Sequence, residues 1–446
     1  MRFKIFSILL LTTLLISCNS GDKLTHSERN AILSDPMLFH DALENLTDIL
    51  VHDILSPPVA SRIYSYPCIA AYETLCGSSS SHRSMAGQLD GLDALPMPSD
   101  TSNLSYELAS LFAFFKTSQA LTFSEKMTED YRDNLVHTLD SLGISEDCIA
   151  KSQKYGESVA DKIIAWSNKD NYKESRSSPK FNITDEPGEW KPTPPSYMEA
   201  IEPDWRNIRT MVIRDLDQFQ PAPPPPFDMN KGSAFRKLTD EVKIAVEVAT
   251  EEHKAIASFW DCNPFVMNQT GHMMYASKKI TPGGHWMGIA SIASKKNKSN
   301  MLLSVEAAAL TSIALFDAFI SCWDEKYRSN LIRPETVINE YLDKDWKPIL
   351  QTPPFPEHTS GHSVASTSAA TVLTNLYGDN FAYRDDVELK YGLPVREFSS
   401  FLQASGEAAI SRLYGGIHYM PAITDGVTQG KAIGEFINGN LSTRIN

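Results

Sequence analysis

Residues 302–323 are the most apolar stretch of the helical part of the chain. A helix that is apolar on every side has no face to offer to water, so other helices must surround it. The stretch contains Glu306 and Asp317, and it therefore lacks the 18 uncharged apolar residues that would indicate a membrane span. The sequence predicts a central, buried helix inside a larger bundle.

The rest of the chain predicts an all-α fold. Apolar residues recur at helical spacing in several segments, namely 35–54, 59–75, 106–119, 123–142, 147–166, 235–259, 363–376, 395–414 and 425–437. Alternating β-branched runs closed by Asn-Gly or Asp-Gly are almost absent. We expect an N-terminal helical region at 25–168 and a catalytic helical bundle at 232–446, packed together with 25–231 as one unit.

Residues 169–231 have a different texture. Their many prolines, including the run 223–226, exclude a long helix and favour extended, partly polyproline backbone. Trp190 and Trp205 make the segment too apolar for a free linker. The sequence predicts an irregular strap that packs across the surface.

The first residues predict export. Residues 1–17 combine a basic start with an apolar stretch at 5–16, which is too short to span a bilayer as a helix. The stretch ends in Leu-Ile-Ser-Cys, which resembles the bacterial lipobox, with Cys18 as the lipidated residue. We expect a lipoprotein signal peptide, a tether at 18–24 and a lipid-anchored protein of the bacterial cell envelope, periplasmic or surface-facing. The alternative is an ordinary signal peptide.

Charge and cysteine content limit the partners. The net charge of −14, from 55 acidic and 41 basic residues, argues against nucleic-acid binding. It does not argue against a small anionic substrate, because a pocket can be locally positive on an acidic protein. Five cysteines remain beyond Cys18, without Cys-x-x-Cys spacing, and we expect them to be buried free thiols.

Three segments in the C-terminal part carry the chemistry, at 326–334, 356–362 and 411–418. Their cationic, hydroxyl, glycine and histidine residues are Lys326, Arg333, Ser360, Gly361, His362, Arg412 and His418. Each segment alone has an ordinary explanation as a helix end or loop. Together they supply what a tetrahedral oxyanion requires, since guanidinium groups match its oxygens bidentately and two histidines can attack and transfer a proton.

In order and spacing the segments resemble the superfamily of type 2 phosphatidic acid phosphatases, bacterial acid phosphatases and vanadium-dependent haloperoxidases. The family pattern is Lys-x6-Arg-Pro, Pro-Ser-Gly-His and Ser-Arg-x5-His-x3-Asp, and Thr359 stands here where proline is usual. The chain's size and helical texture resemble the larger, haloperoxidase-like branch. An all-helical catalytic bundle is what this resemblance implies.

The resemblance assigns the oxyanion-binding groups. Lys326, Arg333 and Arg412 would neutralise the equatorial oxygens of phosphate or vanadate. Ser360 and Gly361 would donate hydrogen bonds to it. Electrostatic stabilisation of the transferred group would then be the largest contribution to catalysis.

The resemblance also assigns the two histidines. His418 would be the phosphatase nucleophile or the ligand to vanadium, and His362 would be the general acid and then the general base. The family often has an acidic residue four positions after the last histidine to orient its ring, but this chain has Ala422 there. Either Asp425, the next acidic residue, or a backbone carbonyl must then orient the His418 ring, and we expect Asp425 to do so.

Four residues are expected around the pocket. Trp323 and Phe355 occupy positions where some fungal-type chloroperoxidases carry the same residue types, although ordinary aromatic packing explains them equally. Asp261 is expected to pair with Arg412, as an acidic residue does in that branch. His358 is a candidate support for the second motif. In addition, residues 283–286 read as a loop at the pocket mouth, where His285 is a candidate ligand.

Three functions follow as hypotheses. The main one is an envelope phosphohydrolase that cleaves phosphomonoesters or phosphoanhydrides through a phosphohistidine and needs no cofactor. The alternative is a vanadate-dependent haloperoxidase that oxidises halide with hydrogen peroxide, since vanadate mimics the phosphoryl transition state. The third is a non-catalytic oxyanion-binding protein, suggested by Thr359 and Ala422.

Overall fold

A computed structural model describes residues 24–264, 266–270, 273–276 and 278–445; Cys18 and the predicted leader lie outside them. The helices are α1 (His26–Leu33), α2 (Met37–His52), α3 (Pro57–Cys76), α4 (Tyr106–Leu121), α5 (Glu125–Ser141), α6 (Glu146–Ser167), α7 (Tyr172–Ser175), α8 (Ala234–Glu247), α9 (Glu251–Phe259), α10 (Pro282–Lys296), α11 (Met301–Ser329), α12 (Pro334–Tyr341), α13 (Gly361–Tyr377), α14 (Phe401–Tyr414) and α15 (Met420–Asn440). Two antiparallel hairpins pair β1 (Met267–Thr270) with β2 (Met273–Ala276) and β3 (Tyr383–Asp385) with β4 (Arg396–Phe398). The predicted all-α class is confirmed.

Helix α11 is the predicted central helix. It begins after Asn300, whose side chain accepts a hydrogen bond from the Leu303 N–H, and it ends at Asn330 in the left-handed conformation. By length and composition it could cross a membrane, but 94% of its most apolar window is buried inside the protein. Its apolar surface is therefore covered by neighbouring helices.

Helix α3 is the main partner of α11 from the N-terminal region. It begins after Ser56 with two prolines in its first turn and runs unbroken through Pro67, and every one of its 20 residues is buried. One hydrophobic cluster contains residues from Phe39 to Leu441, so both ends of the described chain contribute to the same core. The boundaries proposed at residues 168 and 231 remain predictions.

Helices α13 and α15 approach closely through glycines. Gly426, Gly430 and Gly434 lie along the face of α15 that meets α13, and a Cβ atom at Gly430 would lie 2.3 Å from the Val364 carbonyl oxygen. Only a residue without a side chain fits there. This contact fixes the first turn of α13, which carries the second motif, against α15.

The proline-rich segment is the predicted extended strap, interrupted by short 3₁₀ turns at Trp205–Asn207 and Leu216–Phe219. Asp317 of α11 holds it, because its carboxylate accepts hydrogen bonds from three consecutive N–H groups, those of Met211, Val212 and Ile213, at 2.7–3.0 Å. Trp205 is fully buried. The strap is thus part of the core.

Three local predictions were wrong. Residues 235–259 form two helices. The first, α8, ends at Glu247, and Thr250 caps the start of the second, α9. The helix predicted at 395–414 begins only at Phe401, since the residues before it pair as β4. Residues 283–286 are the first turn of α10, capped by Thr281, and are not a loop.

Candidate active site

The second and third motifs line one narrow cavity of about 30 Å³, and Arg333 of the first motif lies beside it, with Nη1 3.2 Å from Nε2 of His418. The cavity is lined by Pro57, Cys262, Asn263, Pro282, Phe319, Trp323, Pro353, Phe355, Gly361, His362, Arg412, Ile417 and His418. The C-terminal half of α11, the first turn of α13 and the last turn of α14 supply many of these residues. The structure brings Arg333, Arg412, His362 and His418 together, whereas Lys326 does not line the cavity.

His418 lies in the turn between α14 and α15, and Glu357 orients its ring. Nδ1 of His418 is 2.8 Å from Oε1 of Glu357, which also accepts the Tyr419 N–H at 2.9 Å. Burial lowers the pKa of His418 well below its usual value, and Arg333 lowers it further. The lowered pKa favours the neutral ring, and donation of its proton from Nδ1 to Glu357 would leave the lone pair on Nε2, beside Nη1 of Arg333.

Arg333 stands at the start of α12 and is fully buried. Its Nε donates to the Phe355 carbonyl at 2.8 Å, and its Nη1 donates to the Ile417 carbonyl at 2.9 Å and lies 3.2 Å from Nε2 of His418. Among the described residues its buried Nη2 has no hydrogen-bond partner. One guanidinium nitrogen is thus left for a ligand beside His418.

Arg412 and His362 form the other side of the site. Nη1 of Arg412 donates to the Trp260 carbonyl at 2.8 Å and lies 3.5 Å from Nε2 of His362. The buried Nε of Arg412 finds no hydrogen-bond partner in the described part of the chain. Burial lowers the pKa of His362 well below its usual value, and the charge of Arg412 acts in the same direction. His362 is therefore a neutral imidazole in the cavity wall.

The second motif places a helix N-terminus at the cavity. Ser360 caps α13 and its Oγ accepts the Ser363 N–H at 3.3 Å, which leaves its hydroxyl proton free to be donated. Gly361 is the first residue of the helix, and the first N–H groups of a helix have no partner within it. This geometry favours an anion.

Comparison with known proteins identifies the family. A family model described as the VCPO second helical-bundle domain matches residues 306–446. A solved structure, the "first bacterial vanadium dependant iodoperoxidase", is 50% identical with a TM-score of 0.88, covering 92% of this chain and 98% of that one. The chain belongs to the vanadium-dependent haloperoxidase family.

More distant structures share the fold. The holo and apo forms of a bacterial vanadium-dependent chloroperoxidase are 15% and 14% identical, with TM-scores of 0.66 and 0.64. Each covers 87% of this chain, and the covered shares of their own chains are 93% and 95%. A search of curated proteins found no match. The predicted membership of the haloperoxidase-like branch is confirmed, and the chain is an enzyme of that family.

The residues present fit vanadate, the cofactor of the family. Two buried guanidinium nitrogens, Nη2 of Arg333 and Nε of Arg412, lack partners among the described residues. Buried donors of this kind are costly unless an acceptor meets them. His418 directs a lone pair, not a proton, toward the same cavity. This is the donor set that an oxyanion with a metal centre requires.

Lys326 does not have the predicted role in this structure. Its buried ammonium group donates to the carbonyl oxygens of Pro356, Glu357 and Thr359, at 3.0, 3.0 and 2.5 Å. All three N–H groups of the ammonium donate to carbonyl oxygens, so no N–H group is left to donate to an oxyanion. Burial lowers the pKa of Lys326 to about 7. The lysine holds the loop that carries Glu357 and contributes positive charge at a distance.

Asp425 does not orient His418. It lies in the second turn of α15, partly exposed, and its carboxylate is 3.9 Å from Nε2 of His358. His358 is fully buried beside the second motif, as expected of a supporting residue, but it does not line the cavity. Ala422 contributes its carbonyl, which accepts the Ser360 N–H at 2.9 Å. Glu357 performs the role predicted for Asp425.

Asp261 pairs with Lys279, at 2.5 Å, where the sequence predicted Arg412. The Trp260 carbonyl holds the guanidinium of Arg412 in its place. Trp323 and Phe355 form the cavity wall, with ring centroids 4.9 Å apart. Arg333 stacks over Phe355 at 5.1 Å, so the aromatic wall also supports the cationic site.

Sequence reasoning missed Glu357 and the Trp260 carbonyl. A signal for Glu357 existed, since an acidic residue five positions before His362 lies inside the second motif. No sequence signal identifies a backbone carbonyl as the partner of a distant arginine.

Proposed function

We propose that this protein is a vanadate-dependent haloperoxidase that oxidises iodide with hydrogen peroxide. The observation that carries the proposal is the pair of guanidinium nitrogens, on Arg333 and Arg412, that have no partner within the described ranges and lie beside His418. Peroxide would gain two electrons from iodide, and with one proton the products would be hypoiodous acid and water.

The chain's own residues would hold the cofactor. Nε2 of His418 would bind the metal, while Arg333, Arg412, Ser360 and the first N–H groups of α13 would donate to its oxygens. Glu357 would keep the His418 proton on Nδ1 and so keep Nε2 available. When bound, vanadate supplies a Lewis acid that polarises peroxide for attack by halide.

His362 would act as the proton carrier. Its neutral ring lies in the cavity wall, 3.5 Å from Arg412, and its low pKa keeps it able to accept a proton near neutral pH. It would take a proton from peroxide as peroxide enters and return it to the leaving oxygen as water forms.

Iodide is the favoured halide for two reasons. The relative that is 50% identical over most of this chain is described as an iodoperoxidase. The cavity wall is aromatic, with Trp323, Phe355 and Phe319, and such a wall suits a large, weakly hydrated and polarisable anion. Trp323 is fixed in it by a hydrogen bond from its Nε1 to the Ile201 carbonyl, at 3.1 Å.

The phosphohydrolase hypothesis, which was the main sequence-based prediction, is supported less well than its alternative. The alternative is better supported because the relative that is 50% identical over most of this chain is described as an iodoperoxidase. The non-catalytic hypothesis loses its basis, because the Thr359 hydroxyl binds Oε1 of Gln429 at 2.7 Å and the Ala422 carbonyl binds Ser360. Both departures from the motif have structural roles.

The test is reconstitution in a phosphate-free buffer. Protein stripped with a chelator should be inactive, and added orthovanadate should restore triiodide formation from iodide and peroxide, with bromide and chloride oxidised more slowly. Inorganic phosphate should compete with vanadate. His418→Ala should stay inactive at every vanadate concentration.

A parallel assay with p-nitrophenyl phosphate separates the hypotheses. Vanadate-free protein should hydrolyse it slowly or not at all. Metal-independent hydrolysis that depends on His418 and is inhibited by vanadate, without halide oxidation, would restore the phosphohydrolase.

We further propose that Cys18 is lipidated and anchors the enzyme to the cell envelope. The Leu-Ile-Ser-Cys sequence supports this, together with the short stretch between Cys18 and α1. Labelled palmitate should be incorporated into the expressed protein and not into Cys18→Ala. A Cys18→Ala protein that is labelled and sediments with membranes as the parent does would rule the anchor out.

A further inference from the structure

A second cluster of ligand-type side chains lies close to the oxyanion site. The cluster consists of Cys262, His285 and Glu388. Their ligand atoms, Sγ, Nδ1 and Oε1, all lie within 4.8 Å of one another. All three side chains are buried, and they come from three different elements: the loop after α9, the first turn of α10, and the 3₁₀ turn Val387–Tyr391. The fold, and not the local sequence, brings them together.

A fourth residue fixes the orientation of the histidine. Nε2 of His285 lies 2.9 Å from Oδ2 of Asp385, which is fully buried in β3. Donation of the Nε2 proton to Asp385 would leave the lone pair of Nδ1 facing Cys262 and Glu388. A carboxylate that accepts the distal N–H of a histidine is the usual outer support of a metal ligand. Trp260 stacks on the ring at 4.6 Å and holds its plane.

The spacing of the ligand atoms matches a tetrahedral ion. The Sγ–Nδ1, Sγ–Oε1 and Nδ1–Oε1 distances are 3.6, 3.5 and 3.1 Å. For zinc bonds of about 2.3 Å to sulfur and about 2.0–2.2 Å to nitrogen and oxygen, a tetrahedron requires about 3.6, 3.6 and 3.4 Å. One ion can therefore meet all three atoms with shifts of a few tenths of an ångström.

Charge also favours a divalent cation. A thiolate and a carboxylate would balance one Zn²⁺ in a buried environment, where an uncompensated charge is costly. The combination of sulfur, imidazole and carboxylate ligands suits zinc better than calcium or magnesium, which require oxygen.

We propose that Cys262, His285 and Glu388 form a Zn²⁺ site, with Asp385 as the outer support of His285. The fourth position is filled by water or another small ligand. Because Cys262 also lines the oxyanion cavity, the ion would stiffen the segment after α9 in which Trp260 precedes it, and the Trp260 carbonyl accepts from Arg412. This site is separate from the vanadate site and does not depend on the proposed halide chemistry.

The experiment uses the full purified chain with any histidine tag removed. Chelator-stripped protein should bind one equivalent of Zn²⁺, measured by elemental analysis after gel filtration, and its Tm should rise on binding. Substitution with Co²⁺ should produce a near-ultraviolet thiolate charge-transfer band and the intense visible bands of tetrahedral cobalt.

Variants assign the ligands. Cys262→Ser should lose the thiolate band, Glu388→Gln should bind Zn²⁺ more weakly, and Asp385→Asn should weaken binding about 10- to 100-fold. Cys148→Ala, which removes a buried thiol in α6, and His418→Ala should both keep the band.

Two results would overturn the proposal. One is stripped parent protein that takes up no zinc, and the other is a thiolate band that survives in Cys262→Ser. Either would make the cluster a hydrogen-bonded ion network, in which a protonated His285 bridges Asp385 and Glu388. Since the parent protein alone gives the zinc stoichiometry, a variant that fails to fold leaves the test intact.

Discussion

Nδ1 of His418 lies 2.8 Å from Oε1 of Glu357, and both side chains are buried. The two residues are 61 positions apart, and Glu357 lies in the segment 356–362 that carries the second motif. The same carboxylate oxygen accepts the Tyr419 N–H, so Glu357 fixes both the ring and the backbone that carries it. Burial raises the pKa of Glu357 to about 7, while Arg333 and Lys326 favour its ionised form.

The first prediction concerns this contact. Glu357→Gln keeps the shape but removes the charge that stabilises the Nδ1 proton, and vanadate affinity should fall about 10- to 100-fold. Isothermal titration with orthovanadate measures this, with circular dichroism to check folding. Asp425→Asn is the matched control and should bind as the parent does. If Asp425→Asn binds vanadate more weakly and Glu357→Gln binds it as the parent does, Asp425 and not Glu357 orients His418.

The second prediction separates oxyanion binding from support. Arg333→Lys and Arg412→Lys remove the guanidinium nitrogens that have no partner in the described part of the chain. Each should weaken vanadate binding roughly 10- to 100-fold, as expected for a charged hydrogen bond of about 1.5–3 kcal/mol. The matched control is Arg236→Lys on the surface of α8, which should have no effect. Unchanged affinity in both buried variants would show that these nitrogens do not meet the oxyanion.

The third prediction concerns Lys326. Lys326→Met removes the donor that the Pro356 and Glu357 carbonyls have among the described residues and leaves the Thr359 carbonyl only the weak Cys322 thiol, at about 1–3 kcal/mol for each buried unsatisfied group. Urea unfolding of vanadate-free protein should show a loss of about 3 kcal/mol or more. Lys431→Met, at an exposed position of α15, is the control and should stay within about 0.5 kcal/mol of the parent. If Lys326→Met is as stable as the parent and only vanadate binding is lost, the direct role predicted from the sequence is correct.

The fourth prediction tests the contact of α13 with α15. Gly430→Ala would place a methyl group 2.3 Å from a backbone oxygen that cannot move independently, so it should destabilise the fold by about 2–3 kcal/mol. Gly406→Ala in α14 meets no atom within 4 Å and should stabilise the protein by up to about 1 kcal/mol. Equal Tm values for the two variants would contradict the close approach of the helices.

The fifth prediction concerns acid stability. His40 of α2 is buried, and burial lowers its pKa to about 3 from its usual value near 6.5. The unfolded chain therefore binds a proton that the folded protein does not. The stabilisation is complete above about pH 6.5 and should fall by about 2 kcal/mol between pH 6.5 and pH 5.

His40→Gln should reduce this loss, measured as the difference in unfolding free energy between the two pH values. His137→Gln, at an exposed position of α5, should leave it unchanged. A His40→Gln protein with the same pH dependence as the parent would show that His40 is protonated in the folded state.

The sequence determined the helical class, the buried helix α11 and the set of oxyanion-binding residue types, because each depends on local periodicity or on a motif read along the chain. The sequence also singled out Arg333, Ser360, Gly361, His362, Arg412 and His418, which the structure brings close to one cavity; their roles remain predictions. The strand β4 escaped detection because its pairing with β3 is a contact between segments and leaves only a three-residue trace in the sequence.

Only the tertiary structure decided which partner each buried charge receives. Lys326 donates to carbonyls, Asp261 pairs with Lys279, and His418 contacts Glu357, although the family resemblance implied other partners. A buried charged group forms hydrogen bonds with the polar groups that packing places next to it. These groups are often backbone atoms, which are the same in every residue and so cannot be recognised in the sequence. For the same reason Cys262, His285 and Glu388, each unremarkable in its own segment, form a cluster only in the folded protein.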